Sequence, residues 1–463
     1  MQHVPVADRL GSCCLVCRRL HAAAVAATQR MCLVESRWQC RFEWLLHYGH
    51  HVTSLEVNLS THPVSQIPCP NLLELECFHC SVQLGPAADG SPGVIQGCTK
   101  LTRLQLVCNI ADTPPGAKLD SLSSLVHLED LFIESWYPVA LPRGTLPCLT
   151  RLTQLSVSNL AEENLAELGS LTNLQQLGLL GGDRSPTVGP SSVPGLVFPA
   201  SLAELSLSAR VEAGLLSLVP TALRSLHVEC VVDGPAEGPG SFLACIARLQ
   251  HLTDLHIEPH GGPTWPPAGP AYSALTASSN LESLCICNTT LPVGVWSHVF
   301  PATHKLPHLT SFELREEMDG ADPSPSWGAA DLSALVTCCP NLCEIHDQLY
   351  MQPGLHVSEL HKLTGLVSLE VNYGRCDPPE LYESLQGLAA VTQLRDLTLD
   401  LRDTTCAIPC LWPLTSLTAL TQLCCQGVQD SVDGDVIVEQ VTVSCMQQVR
   451  KPLLLDPFSL LLV

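Results

Sequence analysis

One six-residue phrase, L-x-x-L-x-L, recurs along most of this chain in a single phase. It opens at Val52-Leu55-Val57 and continues through Leu72-Leu75-Cys77, Leu101-Leu104-Leu106, Leu128-Leu131-Ile133, Leu152-Leu155-Val157, Leu174-Leu177-Leu179 and Leu202-Leu205-Leu207. The series goes on at Leu223-Leu226-Val228, Leu252-Leu255-Ile257, Leu281-Leu284-Ile286, Leu309-Phe312-Leu314, Leu366-Leu369-Val371 and Leu394-Leu397-Leu399. A worn copy sits at Leu342-Ile345-Asp347, and a doubtful one at Leu420-Leu423-Cys425. Fourteen copies between residues 52 and 394 give 342/13, about 26 residues per interval. A period of this length marks a stack of supersecondary units rather than one globular core.

The phrase dictates its own geometry. In L-x-L the two apolar residues point to one face of an extended strand, and the flanking residues point to the other. The first Leu, three residues earlier, turns inward from the approach to that strand. One coil holds too few apolar residues to fold alone, so neighbouring coils must stack and share a core. Successive strands then pair in parallel along a concave side. The remaining residues of each coil return on the convex side as helix, short 3₁₀ turns or loop. Residues 160–171 and 241–249 have the pattern of convex helices. The Pro- and Gly-rich segments 181–195, 233–240, 259–270 and 319–328 fall between copies and read as loop insertions.

Composition agrees with a thin aliphatic spine: 46% of residues are hydrophobic but only 5% are aromatic. The 45 acidic against 23 basic side chains give a formal charge of −22. That balance repels phosphate backbones and anionic membrane surfaces, so a basic protein is the expected partner, with no nucleic acid and no membrane. The 24 cysteines follow no regular spacing, and many occupy apolar slots of the repeat. They read as reduced, buried small hydrophobes. Asp8, Arg9, Arg18 and Arg19 interrupt the N-terminal apolar stretch, so no secretory signal is visible. A cytoplasmic or nuclear protein is the expectation.

Over roughly residues 50–425 the sequence resembles the leucine-rich-repeat family. The resemblance implies an α/β fold, a curved solenoid with short parallel strands on its concave face and about 14–15 repeats across 47–425. The Asn or Cys that this family carries three residues after the strand is mostly absent; only Cys80 and Asn109 match. An irregular solenoid is therefore expected.

Residues 1–46 lack the repeat and read as a short helical cap. Leu10, Cys14, Cys17 and Leu20 fall at helical spacing and form one apolar stripe. The P-V-x-D-x-L start at Pro5, followed by L-V-C-R-R at Leu15–Arg19, resembles the second half of an F-box. That resemblance covers about 25 residues, lacks an L-P-x-E-L-L-type first helix, and has Leu20 where Trp is frequent. It implies a subunit of a cullin-based ubiquitin ligase that docks on a Skp-family adaptor through Pro5, Leu10, Leu15, Val16 and Leu20. The repeats would then recruit the substrate. The other reading is a scaffold whose first helices only cap the solenoid. In the tail, 426–463, residues 435–444 alternate and read as a last strand, and the apolar stretch 452–463 reads as a cover for the final coil.

The repeat phase also names the side chains that face solvent on the strand side, three per copy and 42 in fourteen copies. Acids fill fourteen of them: Glu56, Glu74, Glu76, Asp130, Glu134, Glu204, Glu229, Asp254, Glu258, Glu313, Glu344, Glu370, Asp396 and Asp400. An even spread of the acids gives 45 × 42/463, about 4. Arg103 and Arg315 are the basic ones, and none is Lys. Such a face carries a negative field suited to a basic target and unsuited to a phosphorylated ligand, which needs clustered Arg and Lys. His227 and His256 stand beside these acids in adjacent coils and are placed to titrate near neutrality. No catalytic, phosphate-binding or dinucleotide motif is present. The CxxC pairs Cys14/Cys17 and Cys77/Cys80 lie on unlike elements, and His47, His50 and His51 read as an exposed loop. The expectation is therefore a non-enzymatic chain with no cofactor and no metal.

Overall fold

The periodic leucines become stacked coils. The structure, a computed structural model, describes residues 25, 28–35, 38–59, 67–78, 95, 97–108, 119–135, 138–181, 187–232, 241–258, 265–287, 291–292, 294–315, 329–347, 357–373, 377–401, 408–429 and 437–444. The chain divides into two compact units, Met1–Leu223 and Arg224–Val463. The first carries β1 (Arg30–Val34), β2 (Ser54–Asn58), β3 (Glu74–Phe78), β4 (Arg103–Cys108), β5 (Asp130–Ser135), β6 (Gln154–Ser158), β7 (Gln176–Leu180) and β8 (Glu204–Glu212). The second carries β9 (Ser225–Val232), β10 (Asp254–Ile257), β11 (Ser283–Cys287), β12 (Ser311–Arg315), β13 (Glu344–Asp347), β14 (Ser368–Asn372), β15 (Asp396–Asp400), β16 (Gln422–Gln429) and β17 (Ile437–Ser444).

Within each unit every strand pairs in parallel with its sequence neighbour, except that β17 runs antiparallel to β16. The register never slips. In the first unit Leu55, Leu75, Leu104, Leu131, Leu155, Leu177 and Leu205 stand side by side. In the second, Leu226, Leu255, Leu284, Phe312, Ile345, Leu369, Leu397 and Leu423 do the same. All are buried. A slip of one residue would turn each row into solvent, and burying a Leu-sized side chain is worth about 1.5–3 kcal/mol, so the register is fixed by the core.

The approach to most strands is held by a second device. At the starts of β2–β8 and β10–β16 the backbone N–H groups of two successive residues share one carbonyl of the preceding coil. Thr102 and Arg103 both donate to Leu73 O at 2.8 and 3.0 Å, and Thr153 and Gln154 donate to Glu129 O at the same distances. Where the copy reads L-T-x-L, the threonine hydroxyl adds a third donor to that carbonyl, as from Thr102 to Leu73 O (3.0 Å) and Thr153 to Glu129 O (3.0 Å).

The return path mixes α-helices, the longest being Trp38–Tyr48, Ala329–Cys338 and Pro378–Leu388, with 3₁₀ turns such as Asp120–Ser124 and Ala213–Leu218. In some coils its apolar residues repeat every three, as in Leu119-Leu122-Leu125-Leu128 and Leu165-Leu168-Leu171-Leu174, and all of these are buried. A 3₁₀ turn has three residues, so side chains at i and i+3 line one stripe. The backbone follows: Leu122, Leu125 and Leu128 each donate to the carbonyl three residues back at 2.9 Å. The convex segment 160–171 accordingly holds a single α-turn, Glu162–Leu165, and a 3₁₀ turn, Leu168–Ser170, while 241–249 holds a helix over Ser241–Ile246.

Three expectations change. The ladder starts one strand earlier than the repeat phrase, because β1 lies inside the segment assigned to the cap; Met31 and Leu33 fill its core slots without the leading Leu. It also runs past residue 425, since β16 ends at Gln429 and β17 pairs with it, at the place expected for a last strand. Segment 181–195 is not simply a loop, because Val188 bridges in parallel to Val211 on a lengthened β8. The segments 233–240 and 319–328 lie outside the described residues.

Candidate functional site

The strand face presents three side chains per coil, and the register sets them in rows. In the first unit Glu56 of β2 lies opposite Glu76 of β3, with Glu74 of β3 beside Ser54. Arg103 of β4 stands between Glu74 and Asp130 and binds Asp130 through Nε at 2.7 Å. Glu134 of β5 and Glu204 of β8 are exposed. Exposed Arg30 on β1 joins this face, and the repeat phrase missed it because that strand has no complete copy. In the second unit Asp254, Glu344 and Asp396 are exposed, and Glu229, Glu258, Glu313 and Glu370 are half-buried. These thirteen acids lie on the face where the phase placed them.

The fourteenth does not. Asp400 is 5% exposed, and its Oδ2 accepts a hydrogen bond from Asn372 Nδ2 at 3.4 Å. The last face position of a strand sits where the chain turns into the return path, and there it can serve as an internal polar rung. Ser158 does the same: its hydroxyl accepts from Ser135 N and donates to Ser135 O. Asn164 spans two coils, with Oδ1 accepting from Leu141 N at 2.9 Å and Nδ2 donating to Leu141 O at 2.9 Å. Local rungs of this kind do the work of the missing asparagine ladder.

A second grouping extends the expected neighbours His227 and His256 to residues the sequence reading did not single out. The middle face position reads His227, His256, Cys285, Glu313 and His346 across β9–β13, each in register with the next. The rings of His227 and His256 lie 4.1 Å apart. Glu229 Oε1 is 3.6 Å from His227 Nε2, and Glu258 Oε2 is 3.4 Å from His256 Nε2. Burial and the neighbouring His256 push the His227 pKa down, against the smaller upward pull of Glu229 and Glu258. His227 is thus biased toward its neutral form. Cys285 and Cys287 are buried with their Sγ atoms 3.3 Å apart. The neighbouring thiol, then burial, raise the pKa of Cys285 far above the thiol range. Cys285 and Cys287 were not among the residues singled out from the sequence, although the repeat phase marks both as face positions and so held the signal for them.

Of the other described cysteines, Cys69, Cys77, Cys98, Cys338, Cys339, Cys424 and Cys425 are buried, Cys32, Cys245 and Cys343 are half-buried, and Cys148 is exposed. Burial pushes Cys69 up to about 12 and Cys98 up to about 11, so both are inert thiols. Cys77 fills a core slot of β3, while its CxxC partner Cys80 and the pair Cys14/Cys17 lie outside the described residues. The rings of His50 and His51 lie 4.1 Å apart, tilted by 43°, in the 3₁₀ turn Gly49–His51. No helix among the described residues is long and apolar enough to cross a membrane.

No protein-family profile matches the sequence, and no curated protein matches it. Solved structures do match by shape. TLR13 in complex with ssRNA13 aligns at 15% identity and a TM-score of 0.52, over 86% of this chain and 54% of that one. An internalin from Listeria monocytogenes aligns at 17% identity and a TM-score of 0.44, over 82% of this chain and 88% of that one. A leucine-rich-repeat protein from Leptospira interrogans aligns at 16% and 0.46, over 82% and 91%. The fold is a leucine-rich-repeat solenoid. In such a solenoid the strand face is rigid and the core behind it is shared, so what each coil can vary freely is the three face side chains. The residues expected to meet an adaptor, Pro5, Leu10, Leu15, Val16 and Leu20, lie outside the described residues.

Proposed function

We propose that this solenoid is a non-catalytic protein-binding module whose acidic strand face holds a basic segment of a partner protein. One observation carries the reading: thirteen acids occupy the strand face, against an expectation of about four from composition. Solvation alone asks only for polar residues, and Lys would serve as well. A one-signed field steers an oppositely charged partner and rejects a like-charged one. The ssRNA in the TLR13 structure is a different case, because a face of carboxylates repels phosphate.

The test is binding of a fluorescent arginine-rich peptide to the full chain. Glu56→Lys, Glu76→Lys, Glu344→Lys and Asp396→Lys together should weaken it by more than tenfold, from about 0.5 kcal/mol or less per rim contact plus new repulsion. Unchanged affinity would overturn the reading.

A finer reading makes the chain the substrate-recruiting subunit of a cullin-based ubiquitin ligase. The wording at Pro5–Leu20 favours it. Burial of Leu15 and Val16 against a Skp-family adaptor would supply the contact, and the ligase chemistry would belong to other subunits. Capture of a purified adaptor by the full chain, lost in Leu15→Asp with Val16→Asp, is the expected result. Failure of the unmutated chain to capture it leaves the scaffold reading, in which the first helices act only as a cap.

A further inference from the structure

We infer that His256, Cys285 and Cys287 form a binding site for one thiophilic divalent ion of the zinc class on the strand face of the second unit. Three facts carry it. The register sets His256 of β10 directly beside Cys285 of β11, and Cys287 lies two residues on, on the same side of its strand. One donor atom from each of the three lies within 4.8 Å of the others. The donors are two sulfurs and an imidazole, the set that zinc and its chemical relatives prefer.

The geometry needs little adjustment. Zinc–sulfur bonds of about 2.3 Å put two tetrahedral thiolates about 3.7 Å apart, and here the Sγ atoms are 3.3 Å apart. A disulfide is a poorer use of the pair. Its sulfurs sit about 2.05 Å apart, and residues i and i+2 of an extended strand place their Cα atoms about 6.6 Å apart, at the edge of its reach. The ligands also stand on rigid elements, because Leu255, Ile257, Leu284 and Ile286 lock the two strands into the core.

The surroundings favour a cation. Glu258 stands 3.4 Å from His256 Nε2, close enough to complete the coordination or to orient the ring. His227, His256 and Glu258 form an overlapping group with donor atoms equally close, so the fourth position is flanked by further donors. Glu313 of β12 lies beside Cys285 on the other side and adds negative potential.

The test uses the reduced full chain, stripped with a chelator and titrated with Co²⁺ alone. The expected result is one equivalent bound, with a thiolate-to-cobalt charge-transfer band in the near ultraviolet that Zn²⁺ abolishes by displacement. Cys285→Ser with Cys287→Ser should remove the band, His256→Gln should weaken binding by about tenfold or more, and Cys343→Ser should leave both unchanged. If the double variant fails to fold, Cys285→Ser alone, checked by circular dichroism, takes its place. Absence of the band in the unmutated chain, or its survival in the folded cysteine variants, overturns the assignment. The titration involves no protein partner, so its outcome is separate from that of the acidic-face reading.

Discussion

Asn164 shows how a single side chain stands in for a whole ladder. It is fully buried, and its amide satisfies both the N–H and the carbonyl of Leu141 in the neighbouring coil. Asn164→Ala would leave a donor and an acceptor buried without partners, at a cost of about 2–4 kcal/mol. Thr153→Val removes a hydroxyl from a carbonyl that keeps two backbone donors, and should cost under about 1 kcal/mol. Equilibrium urea denaturation checks both, and equal losses would refute the rung assignment. The Thr is legible in L-T-x-L. Asn164 is not, because nothing in the phrase places it opposite Leu141, 23 residues away. Asp400 teaches the converse: its slot reads as solvent-facing, yet it is buried where the strand meets the turn.

At the scale of the element, a parallel stack has open edges, and an unpaired strand edge invites association with another chain. β17 reverses direction and pairs along β16 from Gln422↔Ser444 to Gln429↔Ile437. Truncation after Gln429 should expose that edge, so size-exclusion chromatography should show concentration-dependent oligomers that the full chain lacks. A truncated chain that stays monomeric at high concentration would show that β17 is no edge cover. The strands themselves were legible because period two is unambiguous in L-x-L. The return elements were less so. Their apolar spacing of three fits a 3₁₀ turn in Leu119–Leu128, but it also fits part of an amphipathic α-helix. Only the span between stacked strands decides how tightly that segment winds.

For the whole molecule, the net charge of −22 and the acids on the strand face act together at long range. Exposed charges are screened beyond about 10 Å at 0.1 M salt. Binding of the arginine-rich peptide should therefore weaken about tenfold between 50 and 300 mM NaCl, mainly through a slower association rate. Stopped-flow fluorescence separates the two rates. Affinity indifferent to salt would mean that apolar contact, not the field, holds the peptide.

The sequence by itself determined the repeat, its phase, the aliphatic spine and the face on which thirteen carboxylates stand, because a period of about 26 residues with an embedded alternation admits one way to bury its leucines. Only the tertiary structure decided which coil neighbours touch through their side chains: that His256 meets Cys285 and Cys287, that Asn164 reaches Leu141, and that Asp400 turns inward. Those meetings depend on residues one full coil apart in the chain. Their alignment is set by the stacking of the core, which the pattern within a single coil does not contain.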